Sequence, residues 1–201
     1  LYNFEIKVMK KLILLLLLVF SNQMIAQSPK IEFTTKNDSE REKNVIPLVQ
    51  AVLDKFDLTK WVFTDKIIID QSAIPHSHPV LTLNTRSVEE DQILSVFTHE
   101  QIHWYVDNNS DKEKAAIDEL KTLYKNVPVG NKKGAKNEYS TYLHLIVCWL
   151  EFKSLEELVG VERAEKAVRD QNHYTWIYET ILNDRSSIGE LIKKHKLNLV
   201  G

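Results

Sequence analysis

The chain has 201 residues, with 26 basic and 28 acidic side chains and a formal net charge of −2. A balance this mildly acidic offers no basic stripe, which excludes a nucleic-acid-binding role. One cysteine excludes an internal disulfide, and five glycines with five prolines favour a helix-dominated chain of one domain's size.

Met9-Lys10-Lys11 and the apolar run from Leu12 to Phe20 read as the basic and apolar parts of a signal peptide. Met9 is the expected start and Ala26 the expected residue before the cut. The run is shorter than a bilayer requires, so a cleaved leader is expected rather than an anchor. Residues 1–26 are therefore assigned to the leader and 27–201 to a single mature domain, exported and free of the membrane after cleavage. Losing Lys7, Lys10, Lys11 and Glu5 moves the net charge from −2 to −4.

Val45, Leu48, Val49, Val52, Leu53 and Phe56 recur at helical spacing and predict a helix over 38–56, with Pro47 at its start or at a kink. Residues 66–70 and 80–84 are rich in β-branched and aliphatic residues and predict strands. Between them, Pro75-His76-Ser77-His78-Pro79 reads as a proline-bounded turn. Ile93, Leu94 and Phe97 predict a helix that continues to about residue 107, and 111–124 forms the next. Residues 126–136, basic and holding Pro128, Gly130 and Gly134, are the clearest loop and the expected mobile rim of a cleft. A strongly apolar helix over 137–152 carries Cys148 as a buried thiol. Ser154 is expected to cap a short helix that Gly160 stops, and helices at 161–170, 173–183 and 187–195 close the chain. A small sheet preceding many helices defines an α+β arrangement.

The chemistry is concentrated in His99-Glu100-Gln101-Ile102-His103. At about 100° per residue, His99 and His103 lie about 40° apart and one turn along a helix, so both imidazoles reach one metal ion. Glu100 projects beside that face, where it meets a metal-activated water without ligating the metal. Neutral nitrogen ligands with one open position describe catalytic zinc. With Val96 before the motif, uncharged Gln101 and Ile102 inside it, and Trp104 and Tyr105 after it, the segment resembles a zincin-type zinc metallopeptidase. The placing of Pro-His-Ser-His-Pro before a strand and then the motif also resembles a small bacterial family.

The resemblance covers about residues 66–106. It implies one zinc ion, a peptide or protein substrate, Glu100 as general base, and an edge strand at 80–84 that cradles the substrate by β-addition. It also implies an oxyanion-stabilising pair, for which His173 and Tyr174 are the candidates, against aromatic packing of a terminal helix as the commoner reading of that segment. Metzincins place Gly and His where Val106 and Asn109 stand, so that subtype is excluded. Gluzincins take a third ligand from a later helix, and 137–152 offers His144, Glu138 and Glu151. Glu138 and His144 lie about 120° apart around the helix, and Glu151 lies about 10 Å beyond His144, so one ion takes only one of the three. His144 stands among apolar residues and needs a hydrogen-bond partner or a metal. Asn137-Glu138 is similar to the start of the gluzincin segment, but Thr141-Tyr142 stand where Ser-Asp would follow. The order is His144, then Glu138, then Glu151. His76 and His78 are read as turn residues, with a role in substrate or metal binding as the alternative, and His195, among lysines, as a solvated helix end. Two further classes remain: a zinc hydrolase of a non-peptide amide or ester, and a non-catalytic exported binding module.

Overall fold

Three short strands build the sheet, one more than the sequence predicts. The structure is a computed structural model that describes residues 30–199, so the leader expected over 1–26 lies outside the described residues. Strands β1 (Glu32–Thr35), β2 (Lys66–Ile69) and β3 (Leu81–Leu83) run parallel in that order. β1 escapes prediction because its four residues alternate only between exposed and half-buried, giving no apolar signature. Ile67, Ile69, Leu81 and Leu83 are buried and fix β2 and β3 to the core.

The β1–β2 crossover is helix α1 (Glu40–Lys55). It opens with a capping box in which Ser39 Oγ accepts the Glu42 amide and Glu42 reaches back to the Ser39 amide. Pro47 lies inside it rather than at its start. After β3 the chain is helical: α2 (Glu90–Asp107), α3 (Ser110–Leu123), α4 (Glu138–Val159), α5 (Val161–Arg169), α6 (Thr175–Asn183) and α7 (Arg185–Lys194). The fold is α+β, sheet first and helices after. Among the described residues, no helix is long and apolar enough to cross a membrane.

Three expectations are corrected. The break at residues 152–154 is absent: Ser154 is buried, its hydroxyl donates to Leu150 O within the helix, and α4 runs on for 22 residues. Gly160, at φ 82°, ends it. The loop 126–136 does lend Asn131 and Gly134 to a cleft wall, but it is braced: Gly130 N–H donates to Ala135 O, and Thr141 Oγ1 donates to Pro128 O and accepts Ala135 N–H. A Cβ on Gly134 would stand 1.9 Å from Pro128 O, so only glycine fits. Finally, the outer edge of β3 is not open at its centre. Thr82 N–H donates to His76 O at 2.8 Å, and His76 N–H donates to Thr82 O at 3.1 Å.

Candidate metal centre

Helices α2 and α4 pack against each other, and Leu94, Phe97, Ile102, Leu145, Ile146 and Cys148 are fully buried in the core around them. Gln101, between the motif histidines, is also fully buried. Its carboxamide accepts the Phe63 and Thr64 amides and donates to Thr64 O, tying the approach to β2 onto the motif turn. The two helices thus meet in one register, with His99 and His103 on α2 facing His144 on α4.

One ligand atom from each of these three residues lies within 4.8 Å of the others. The ring centroids are 5.0 Å apart for His99 and His103, 5.5 Å for His99 and His144, and 5.1 Å for His103 and His144. His99 Nε2 stands 3.3 Å from His103 Nε2. At a Zn–N distance of about 2.0–2.1 Å, a tetrahedral angle puts two ligand nitrogens roughly 3.3 Å apart, so the pair fits such an ion.

The outer nitrogens are fixed by acceptors. His144 Nδ1–H donates to Ser140 O, one turn back on its own helix, at 2.6 Å. His99 Nδ1–H donates to Glu151 Oε2 at 2.9 Å. In His144 this tautomer leaves Nε2 bare toward the shared point, and in His99 the hold on Nδ1 leaves Nε2 as the nitrogen facing it. Burial and the neighbouring His99 push His144 down to about 3. Burial and the other two imidazoles also hold His103 well below its ordinary range. His99 is pulled down by burial but raised overall by Cys148 and Glu151. Two of the three rings are therefore held neutral, as metal ligands require.

Glu151 is itself fully buried on α4 and accepts Ser95 Oγ at 2.5 Å and Tyr178 Oη at 2.8 Å besides His99. Gln171 Nε2 donates to Ser95 Oγ at 3.0 Å, extending the network. Cys148 Sγ lies 4.0 Å from His99 Nδ1, and His99, Cys148 and Glu151 form a second group of potential ligands on the far side of the same ring. Glu151 already accepts three donors there, so the geometry is that of a support to His99.

Glu100 is 6% exposed, and burial pushes its carboxyl up against the opposing pull of His99 and His76. It lines, with His99, a cleft of about 1060 Å³ that follows α2 back to Glu90. That distance is about 15 Å, the length of roughly four extended residues. His173 is exposed on the cleft wall. Tyr174, at φ 57°, lays its ring over His144 at 4.4 Å and His99 at 6.1 Å. Its left-handed backbone is held by the braced loop, where the Thr175 and Trp176 amides donate to Lys132 O and Lys133 O.

The structure thus brings His99, Glu100, His103 and His144 together, with Tyr174 above them and His173 on the cleft wall. Glu138 stands exposed at the start of α4, outside the cluster, and Glu151 joins it only through His99 Nδ1. Sequence reasoning gave Ser95 and Tyr178 no role, and Gln101 only that of an uncharged residue within the motif. One signal was present: a glutamate in the apolar run Cys148-Trp149-Leu150-Glu151-Phe152 demands buried partners. Comparison with protein-family profiles, curated proteins and solved structures gives no match.

Proposed function

We propose that this chain is a zinc-dependent peptidase of the zincin kind, exported and acting on peptide or protein substrates. The convergence of the His99, His103 and His144 nitrogens beside the buried Glu100 carboxylate carries the reading. These three imidazoles would hold the ion, and zinc so held supplies Lewis acidity toward water and a carbonyl oxygen. Glu100 takes a proton from the attacking water as the C–O bond forms, and delivers it to the leaving nitrogen as the C–N bond breaks. Glu151 keeps His99 in the ligating tautomer. His173 and Tyr174 are the groups proposed to face the negative oxygen that develops at the carbonyl.

Metal content of the purified chain, wild type beside His144→Ala, tests the proposal. About one zinc per wild-type chain, lost in the variant, is the expected result. Full occupancy in His144→Ala would move the ion to the Cys148–Glu151 side of His99, and no metal in either would end the reading. A second reading, a zinc hydrolase of a non-peptide amide or ester, is favoured by the closure of β3's edge at Thr82. A panel of peptides, aryl amides and esters separates the two.

A further inference from the structure

A zincin-like substrate would seek an open strand edge at β3, and here the central donor and acceptor of that edge are taken by His76. Two side chains beside it stand ready in their place. Asn84, just past β3, is 7% exposed and lines the cleft. Its Oδ1 accepts the Arg86 amide at 2.9 Å, which fixes the carboxamide's orientation, and its Nδ2 has no acceptor among the described residues. Oriented through Oδ1 and left open at Nδ2, the carboxamide offers a donor at the cleft wall that a ligand can satisfy.

His76 supplies the complement. Its Nδ1–H donates to Ile74 O at 2.8 Å, so the neutral ring offers Nε2 as an acceptor. The strap that carries it runs along the motif helix. His78 stacks on Trp104 at 4.2 Å and reaches toward Asp107, while Ser77 O accepts the Trp104 indole N–H at 2.8 Å. His76, bridged to Thr82 on the edge of β3, is near enough to Glu100 to act on its carboxyl. Ile74 and Pro75 line the same cleft as Glu100, in agreement.

An extended residue presents its N–H and C=O to the same side, the pair Thr82 would otherwise have met. We infer that Asn84 and His76 together recognise one residue of an extended substrate, Asn84 Nδ2 donating to that residue's carbonyl oxygen and His76 Nε2 accepting its N–H. The inference rests on the hydrolase reading above and narrows it. The preferred substrate carries an amide with a free N–H, and an ester or N-alkylated amide in that place is disfavoured.

The test uses the zinc-loaded full chain on a mixture of octapeptides, followed by an N-methyl scan of the peptide cut fastest. One position is expected where methylation lowers kcat/KM by about 10–100-fold in wild type but hardly at all in His76→Ala. Asn84→Asp keeps the acceptor for Arg86 and loses the donor, so it should raise KM with zinc content unchanged. If wild type cuts peptides but no position is sensitive, or His76→Ala keeps the sensitivity, the inference is overturned and the hydrolase reading stands. If zinc-loaded wild type cuts nothing in the peptide, amide and ester panels, both fall.

Discussion

Two carboxylates, Glu42 and Glu151, are fully buried in this protein and are satisfied in different ways. Glu42 accepts backbone amides from Asn37, Ser39 and Gln71, plus the Asn37 side-chain amide. Glu151 accepts only side chains: Ser95, Tyr178 and His99. Backbone donors come with the fold, so Glu42 locks the β1–α1 turn to the end of β2. Side-chain donors have to be placed one by one, and one of those on Glu151 is a motif histidine. The first carboxylate holds the sheet together; the second holds an imidazole in register. A third, Glu100, has burial without any donor among the described residues, and burial raises its carboxyl.

The contrast predicts three different responses to the same change. Glu100→Gln should retain zinc and lower kcat by about 10²–10⁴-fold, read by metal analysis beside turnover of a cut peptide. Unchanged turnover would remove Glu100 from the chemistry. Glu151→Gln keeps the volume but weakens the acceptor for His99 Nδ1–H. Zinc affinity should fall about 10–100-fold in competition with a chelator, with the folded chain still present by circular dichroism. Affinity equal to wild type would reduce Glu151 to a packing role.

The motif turn was legible because its chemistry is local: His99 and His103 are four residues apart, and helical geometry alone puts them on one face. The α+β order followed from hydrophobic periodicity for the same reason. His144 could be ranked but not placed, since its partner lies 41 residues away and the α2–α4 register depends on the whole apolar interface. β1 was lost because four half-exposed residues become a strand only through pairing with β2. The closed edge of β3 was hidden too, because the Pro-His-Ser-His-Pro turn reads as a turn without revealing what it folds back against. Glu151 entered only as a rival ligand. Its role depends on which nitrogen of His99 it meets, a matter of tertiary geometry.

Glu42→Gln should leave zinc binding untouched and act on acid stability. Burial raises the Glu42 carboxyl, but the Gln71 amide, the Asn37 side chain and the remaining backbone amides outweigh it and hold it down to about 2, against an ordinary 4.5. A depressed folded value means that its stabilisation is complete above about pH 4.5 and is lost as pH falls through about 2. Wild type should therefore lose thermal stability across that window more steeply than Glu42→Gln. Parallel curves would take Glu42 out of the acid limb.

The smallest effect belongs to Cys148, and it decides which side of His99 the metal takes. The thiol is fully buried and burial raises its pKa, despite the nearby His99. A metal on the three Nε2-side imidazoles leaves it a core side chain, and Cys148→Ala then costs about 1 kcal/mol of packing without changing metal content. Cobalt loaded into wild type should show no thiolate charge-transfer absorption, and the variant should give the same visible spectrum. A thiolate band that disappears in Cys148→Ala would move the ion to the Cys148–Glu151 side of the ring. Glu151 would then be a ligand, and the contrast with Glu42 would have to be drawn between a structural carboxylate and a coordinating one.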